Sequence, residues 1–124
     1  MNYKVMRGVR GATVARENKQ EEIVNRTEEL LQKMVEANNI ITEDIGSVLF
    51  SVTTDLNAEF PAVAARRLGW MDVPLICFTE IPVPGSLGKC IRVMINLNTE
   101  QKQNQIHHIY LYEAEQLRPD KSNK

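Results

Sequence analysis

Arg92 stands within Cys90-Ile91-Arg92-Val93-Met94-Ile95-Asn96-Leu97, where alternation places Ile91, Val93, Ile95 and Leu97 on one strand face and Cys90, Arg92, Met94 and Asn96 on the other. The first face is wholly apolar and reads as core. On the second, a guanidinium between Cys90 and Met94 is expected to be partly desolvated, where its hydrogen bonds count for more and it needs an anionic partner. That partner is either a structural acid such as Glu80 or a bound anion. Arg10 is a second candidate anion ligand. It lies between Gly8 and Gly11, whose small size would let a ligand approach the backbone, and the first sixteen residues hold Lys4, Arg7, Arg10 and Arg16 with no acid. A solvated strand end is the plainer account of the same charges. Glu80 closes Pro-Leu-Ile-Cys-Phe-Thr-Glu and Tyr110 lies in His-His-Ile-Tyr-Leu-Tyr, so both can face a shared cleft.

Other chemistries find less support. His107 and His108 are adjacent, and on a strand they point to opposite faces, which does not suit chelation of one ion. Cys77 has no histidine at a diagnostic local spacing and reads as a packed or hydrogen-bonding thiol. Gly-x-Ser-x-Gly is absent. Arg7-Gly-Val-Arg-Gly-Ala-Thr13 lacks both the dinucleotide glycine order and the lysine of a phosphate loop, so no nucleotide cofactor is expected. As a single copy without interleaved aromatics, that segment does not suggest nucleic-acid binding either.

The elements that must hold these residues follow from periodicity. Alternation through the first nine residues, broken at Arg7, predicts an opening strand. Asn18 with Glu21 three positions later resembles a capping box, and Ile23, Thr27, Leu30, Leu31, Met34 and Val35 then draw one apolar stripe along a helix ending near Asn38 and Asn39. A strand over roughly 47–53 follows a Thr42-Glu43-Asp44 turn. A short helix begins at Pro61 and stops at Gly69. Strands are predicted near 74–79, 90–97 and 107–112, with Ile81-Pro-Val-Pro-Gly-Ser-Leu-Gly88 as an exposed loop. The order predicts an α+β fold, a mixed sheet of roughly five strands with one long and one short helix on one face. So many strands in a short chain leave edges that association of subunits would cover.

The 124 residues allow one domain over 1–124, and 43% hydrophobic with 25% charged residues is ordinary globular composition. Fifteen basic against sixteen acidic residues, net −1, argue against holding polyanions or membranes by bulk charge. Neither a signal peptide nor a run approaching the ~20 apolar residues of a membrane span is evident, so a soluble, cytoplasmic chain is expected. Cys77 and Cys90 are expected to be free thiols.

Taken together, the segments at residues 7–13, 54–62 (Thr-Asp-Leu-Asn-Ala-Glu-Phe-Pro-Ala), 69–77 (Gly-Trp-Met-Asp-Val-Pro-Leu-Ile-Cys), 89–94 (Lys-Cys-Ile-Arg-Val-Met) and 117–120 (Leu-Arg-Pro-Asp) resemble the monofunctional bacterial chorismate mutases of the trimeric pseudo-α/β-barrel class. The resemblance implies isomerisation of chorismate to prephenate, by a sigmatropic rearrangement on the route to phenylalanine and tyrosine, without cofactor, metal or covalent intermediate. It implies a homotrimer with active sites between subunits. In it, Arg92 donates to the ether oxygen, Arg10 and Tyr110 hold the side-chain carboxylate, and Arg10 also approaches the ether. Glu80 and Cys77 meet the ring hydroxyl, Phe60 and Leu117 supply apolar wall, and Arg66 and Arg118 lie near the ring carboxylate. A flexible tail over about 113–124 would close over the ligand.

Three departures stand out. Val63 occupies a position where the pattern usually has lysine, Ile76 one where threonine commonly precedes the cysteine, and the stretch before Gly69 is a residue shorter. Two other readings remain: an imine deaminase-like trimer of similar fold, which the 7–13 segment and Cys77-x-x-Glu80 disfavour, and a non-catalytic module binding a small anion.

Overall fold

The computed structural model describes residues 3–119. Its elements run β1 (Val5–Val14), α1 (Gln20–Asn38), a 3-10 turn (Thr42–Asp44), β2 (Ile45–Val52), α2 (Ala62–Arg67), β3 (Leu75–Thr79), β4 (Cys90–Thr99), a 3-10 turn (Gln103–Gln105), β5 (Ile109–Tyr110) and a last 3-10 helix (Tyr112–Leu117). The five strands form one mixed sheet in the order β3-β2-β4-β1-β5. β4 is antiparallel to both neighbours, whereas β2 with β3 and β1 with β5 are parallel pairs.

Alternation sorts the sheet into a covered and an open face. Val9, Val48, Phe50, Val93 and Ile95 are buried against Val24, Leu30, Leu31 and Met34 of α1 and Ala62, Ala64 and Ala65 of α2, so both helices lie on one side as expected. α1 carries its apolar stripe through to Asn38 and ends on Asn39 in the left-handed conformation, φ 50°. Its start differs from the expected capping box. Lys19 is the N-cap and makes no side-chain cap bond, while Asn18 Oδ1 accepts hydrogen bonds from the Asn57 and Ala58 N–H groups, each at 3.0 Å.

β1 continues well past the expected alternation, through Gly11 to Val14. At Gly11 the reason for a glycine is packing against α1, a demand the sequence pattern did not show. A Cβ on Gly11 would run into the Met34 sulfur and sit 3.1 Å from Leu30 Cδ1, and one on Gly8 would lie 3.0 Å from Met94 Sδ. The strand expected over 107–112 is only Ile109–Tyr110. Of the segment expected as a tail, Tyr112–Leu117 is a 3-10 helix seated beside β1, with Ala114 fully buried in a small cluster with Ala12, Val14 and Cys90. Residues 120–124 lie outside the described residues.

Lys89, just before β4, also has a left-handed backbone, φ 46°. The Asp55 carboxylate holds it, accepting from the Lys89 N–H through both oxygens at 3.1 and 2.9 Å, while Thr53 Oγ1 donates to Asp55 and accepts from the Cys90 N–H at 2.9 Å. This clamp fixes where β4 begins and so which of its residues face outward.

Candidate active site

On the open face the register brings the outward side chains of four strands together. Arg10 is opposite Met94 and Ala12 opposite Arg92 across β1 and β4, Ser51 is opposite Arg92 on the other side, and Tyr110 is level with Ala12. Arg10, Ser51, Phe78, Arg92, Tyr110 and Leu117 line a cleft of about 210 Å³. Glu80, just beyond β3, reaches the same place. Arg92 Nε lies 3.5 Å from Glu80 Oε2, and Ser51 Oγ donates to that oxygen at 3.0 Å.

The structural partner foreseen for Arg92 is therefore present, but the expected desolvation is not met in a single chain. The Arg92 side chain is 48% exposed, because among the described residues the 3-10 helix Tyr112–Leu117 covers Ala12, Val14 and Cys90 on this face but leaves Arg92 open. A pair this exposed contributes only about 0–1 kcal/mol, so its value is geometric: it helps to hold the guanidinium in place through Nε. Beneath it, Cys90 is buried with its thiol bonded to the Arg92 side chain. Burial pushes that thiol up, and Arg92 only partly opposes the shift.

Cys77 belongs elsewhere. It is level with the fully buried Phe50 in the β2–β3 pair, which puts its side chain on the helix side of the sheet. Burial raises the Cys77 thiol, offset in part by a hydrogen bond with the Ala62 backbone and by the Arg66 charge. Cys77, Pro61 and the 67% exposed Phe60 share a recess at the edge of the sheet. The expected residues thus fall into two groups: Arg10, Glu80, Arg92, Tyr110 and Leu117 at one cleft, and Phe60, Arg66 and Cys77 at the other. Cys77 and Glu80, expected to meet the same hydroxyl, point to opposite faces within one chain. Arg118 is half-buried with its Nη1 3.4 Å from Glu115 Oε1.

Ser51, at the first cleft, and His108, beside the Arg10 backbone, were given no role at that site from sequence. Ser51 could have been found from β2, where Leu49 and Ser51 alternate with the core residues Val48 and Phe50. His108, set aside as a metal ligand, accepts a hydrogen bond at Nδ1 from the Arg10 N–H at 3.0 Å. Among the described residues no three His, Cys, Asp or Glu side chains are grouped to hold a metal ion. Nor, among them, is any helix long and apolar enough to cross a membrane.

Comparison with known proteins bears on the family. Residues 6–121 match the family model for chorismate mutase type I. The chain is 47% identical over 119 residues to the chorismate mutase AroH of Bacillus subtilis (strain 168), covering 95% of this chain and 94% of that one. It is 49% identical over 117 residues to the chorismate mutase AroH of Thermus thermophilus, covering 94% and 96%. The solved structure of a chorismate mutase from Clostridium thermocellum superposes with a TM-score of 0.87 at 49% identity, over 88% of this chain and 97% of that one. With the family model spanning all but the ends and such identity along nearly the whole length, the chain belongs to the chorismate mutase type I family.

Proposed function

We propose that the chain isomerises chorismate to prephenate, on the route to phenylalanine and tyrosine, in clefts completed by neighbouring copies of a homotrimer. In this rearrangement the ether C–O bond breaks as a C–C bond forms within the same molecule. No atom enters or leaves, so the chemistry asks for neither nucleophile nor proton transfer. The rate then depends on holding the flexible side chain over the ring and on placing fixed positive charge where the ether oxygen gains electron density.

Arg92 donates to the ether oxygen, steadied by Glu80. Arg10 and Tyr110 hold the side-chain carboxylate, with Arg10 also near the ether, and Leu117 is apolar wall. From the adjacent copy come Phe60 as the opposing wall, Cys77 to join Glu80 at the ring hydroxyl, and Arg66 near the ring carboxylate, where Arg118 also lies. Val63 is half-buried against the core, so entrance charge rests on the arginines.

The observation that carries this reading is the convergence of Arg10, Arg92 and Tyr110 on one open cleft. The assembly is supported by the placement of Cys77 and Glu80 on opposite faces, since a second copy is needed for both to meet one ligand. Ile76, Phe78, Ile81 and Val83 add exposed apolar surface suited to such a contact.

The test is ultraviolet loss of chorismate on adding the purified protein, with prephenate identified as product and the oligomer sized by sedimentation. Rapid loss by a trimer is expected. An intact, folded oligomer that binds chorismate without converting it would overturn the catalytic reading.

A further inference from the structure

β5 pairs with β1 at two positions, Gly11 with Ile109 and Ala12 with Tyr110, and the Leu111 N–H donates to the Ala12 carbonyl at 2.9 Å. One rung earlier the main chain of this strand is not available to Arg10. Asn38, buried at the end of α1, draws His107 away, accepting from its N–H and donating to its carbonyl, both at 2.8 Å. The Arg10 N–H would be left without a sheet partner, and it donates instead to His108 Nδ1 at 3.0 Å. An imidazole that accepts at Nδ1 carries its proton on Nε2, so the contact requires the neutral ring. Burial and the charges of Arg10 and His107 favour that form, holding the His108 pKa below its ordinary value.

We propose that His108 is a positioning residue for Arg10: its imidazole replaces the missing main-chain acceptor and fixes the stretch of β1 from which the Arg10 guanidinium enters the cleft. The proposal deepens the chorismate mutase reading and rests on Arg10 as a ligand of the substrate carboxylate. His108 touches no reacting atom. Its effect passes through the backbone of Arg10, two positions from Ala12, which is opposite Arg92.

The experiment compares kcat and KM of His108→Ala, His108→Asn and His107→Ala with the wild-type trimer, together with hydrogen exchange at the Arg10 amide. Asparagine can present its side-chain oxygen near the position of Nδ1, whereas alanine presents nothing. Loss of one hydrogen bond's worth of orientation predicts kcat/KM lower by about tenfold in His108→Ala, with melting temperature nearly unchanged. His108→Asn should recover to within about threefold and His107→Ala should match wild type, while the Arg10 amide exchanges faster only in His108→Ala. His108→Ala within twofold of wild type, His108→Asn no better than His108→Ala, or an Arg10 amide equally protected in all forms would each overturn the proposal. Should a variant fail to fold, an unprotected Arg10 amide in the wild-type trimer would overturn it alone. A wild-type protein without mutase activity but with a protected Arg10 amide would instead count against the functional reading.

Discussion

Arg92 Nε and Glu80 Oε2 stand 3.5 Å apart on the open face of the sheet, with Ser51 Oγ donating to the same oxygen at 3.0 Å. The carboxylate meets the guanidinium at Nε, and the arginine remains part of the cleft lining. Removing that cation removes a donor needed most when the ether oxygen is negative. Arg92→Ala should fold and trimerise normally but lose at least about 10²- to 10³-fold, mainly in kcat. Arg92→Lys keeps the charge without the planar fork and should be badly impaired as well. Near-normal turnover of either variant would refute the role given to Arg92.

Glu80 acts on the same group from behind. Glu80→Gln keeps an acceptor for Ser51 and loses the charge that holds Arg92, so kcat/KM should fall by up to about fivefold, the upper worth of an ion pair this exposed. Circular dichroism should be unchanged. An effect confined to the melting temperature would make the pair purely structural.

Because Cys77, Phe60 and Arg66 lie across the sheet from Arg10 and Arg92, inactive variants from the two groups should complement. Arg92→Ala and Arg66→Ala, unfolded together and refolded as mixed trimers, would form some clefts with an intact Arg92 from one subunit and an intact Arg66 from the next. Activity above the sum of the separate variants is expected. Mixing that yields only the average would place each site within a single chain.

Much of the fold is legible in the sequence. α1 was plain because six residues kept helical spacing, and β4 because eight residues alternated without a break. Even the separation of Cys77 from Glu80 was implicit, since they are three residues apart and a period of two sends them to opposite faces. The misses came from tertiary contacts that no local pattern carries. Asn18 answers to Asn57 and Ala58 rather than to its own helix. Gly11 answers to Met34. The His-His-Ile-Tyr-Leu-Tyr run reads as a longer strand, but Asn38 holds His107 at one end and Tyr112 turns to φ 55° at the other.

The Asp55 clamp gives a prediction about stability. A Cβ at Gly88 would come within 2.9 Å of Asp55 Oδ2, so Gly88→Ala must displace the carboxylate that holds the left-handed Lys89. Gly88→Ala and Asp55→Ala should each lower stability by about 1–2 kcal/mol, read from urea midpoints. Lys89→Gly, which relaxes the same backbone, should be much milder despite its extra entropy. Equal midpoints for wild type and Asp55→Ala would show that β4 begins correctly without the clamp.

His108 should mark the acid side of the stability curve. Its pKa is lowered from 6.5 by burial and by the charges of Arg10 and His107. As pH falls, the unfolded chain takes up this proton near the ordinary value while the folded chain resists until a lower pH. Between those two points the unfolded state holds more protons, so stability declines as pH drops through the window and levels off below the folded value. Glu22 and Asp55, both lowered from ordinary values of 4.5 and 3.8, add their own losses only at more acid pH. Wild type should therefore lose stability relative to His108→Asn as the pH falls below about 6.5, with the difference between the two constant well above it. Parallel curves throughout would mean that His108 titrates alike in the folded and unfolded chains, and that its bond to Arg10 does not depend on the neutral ring.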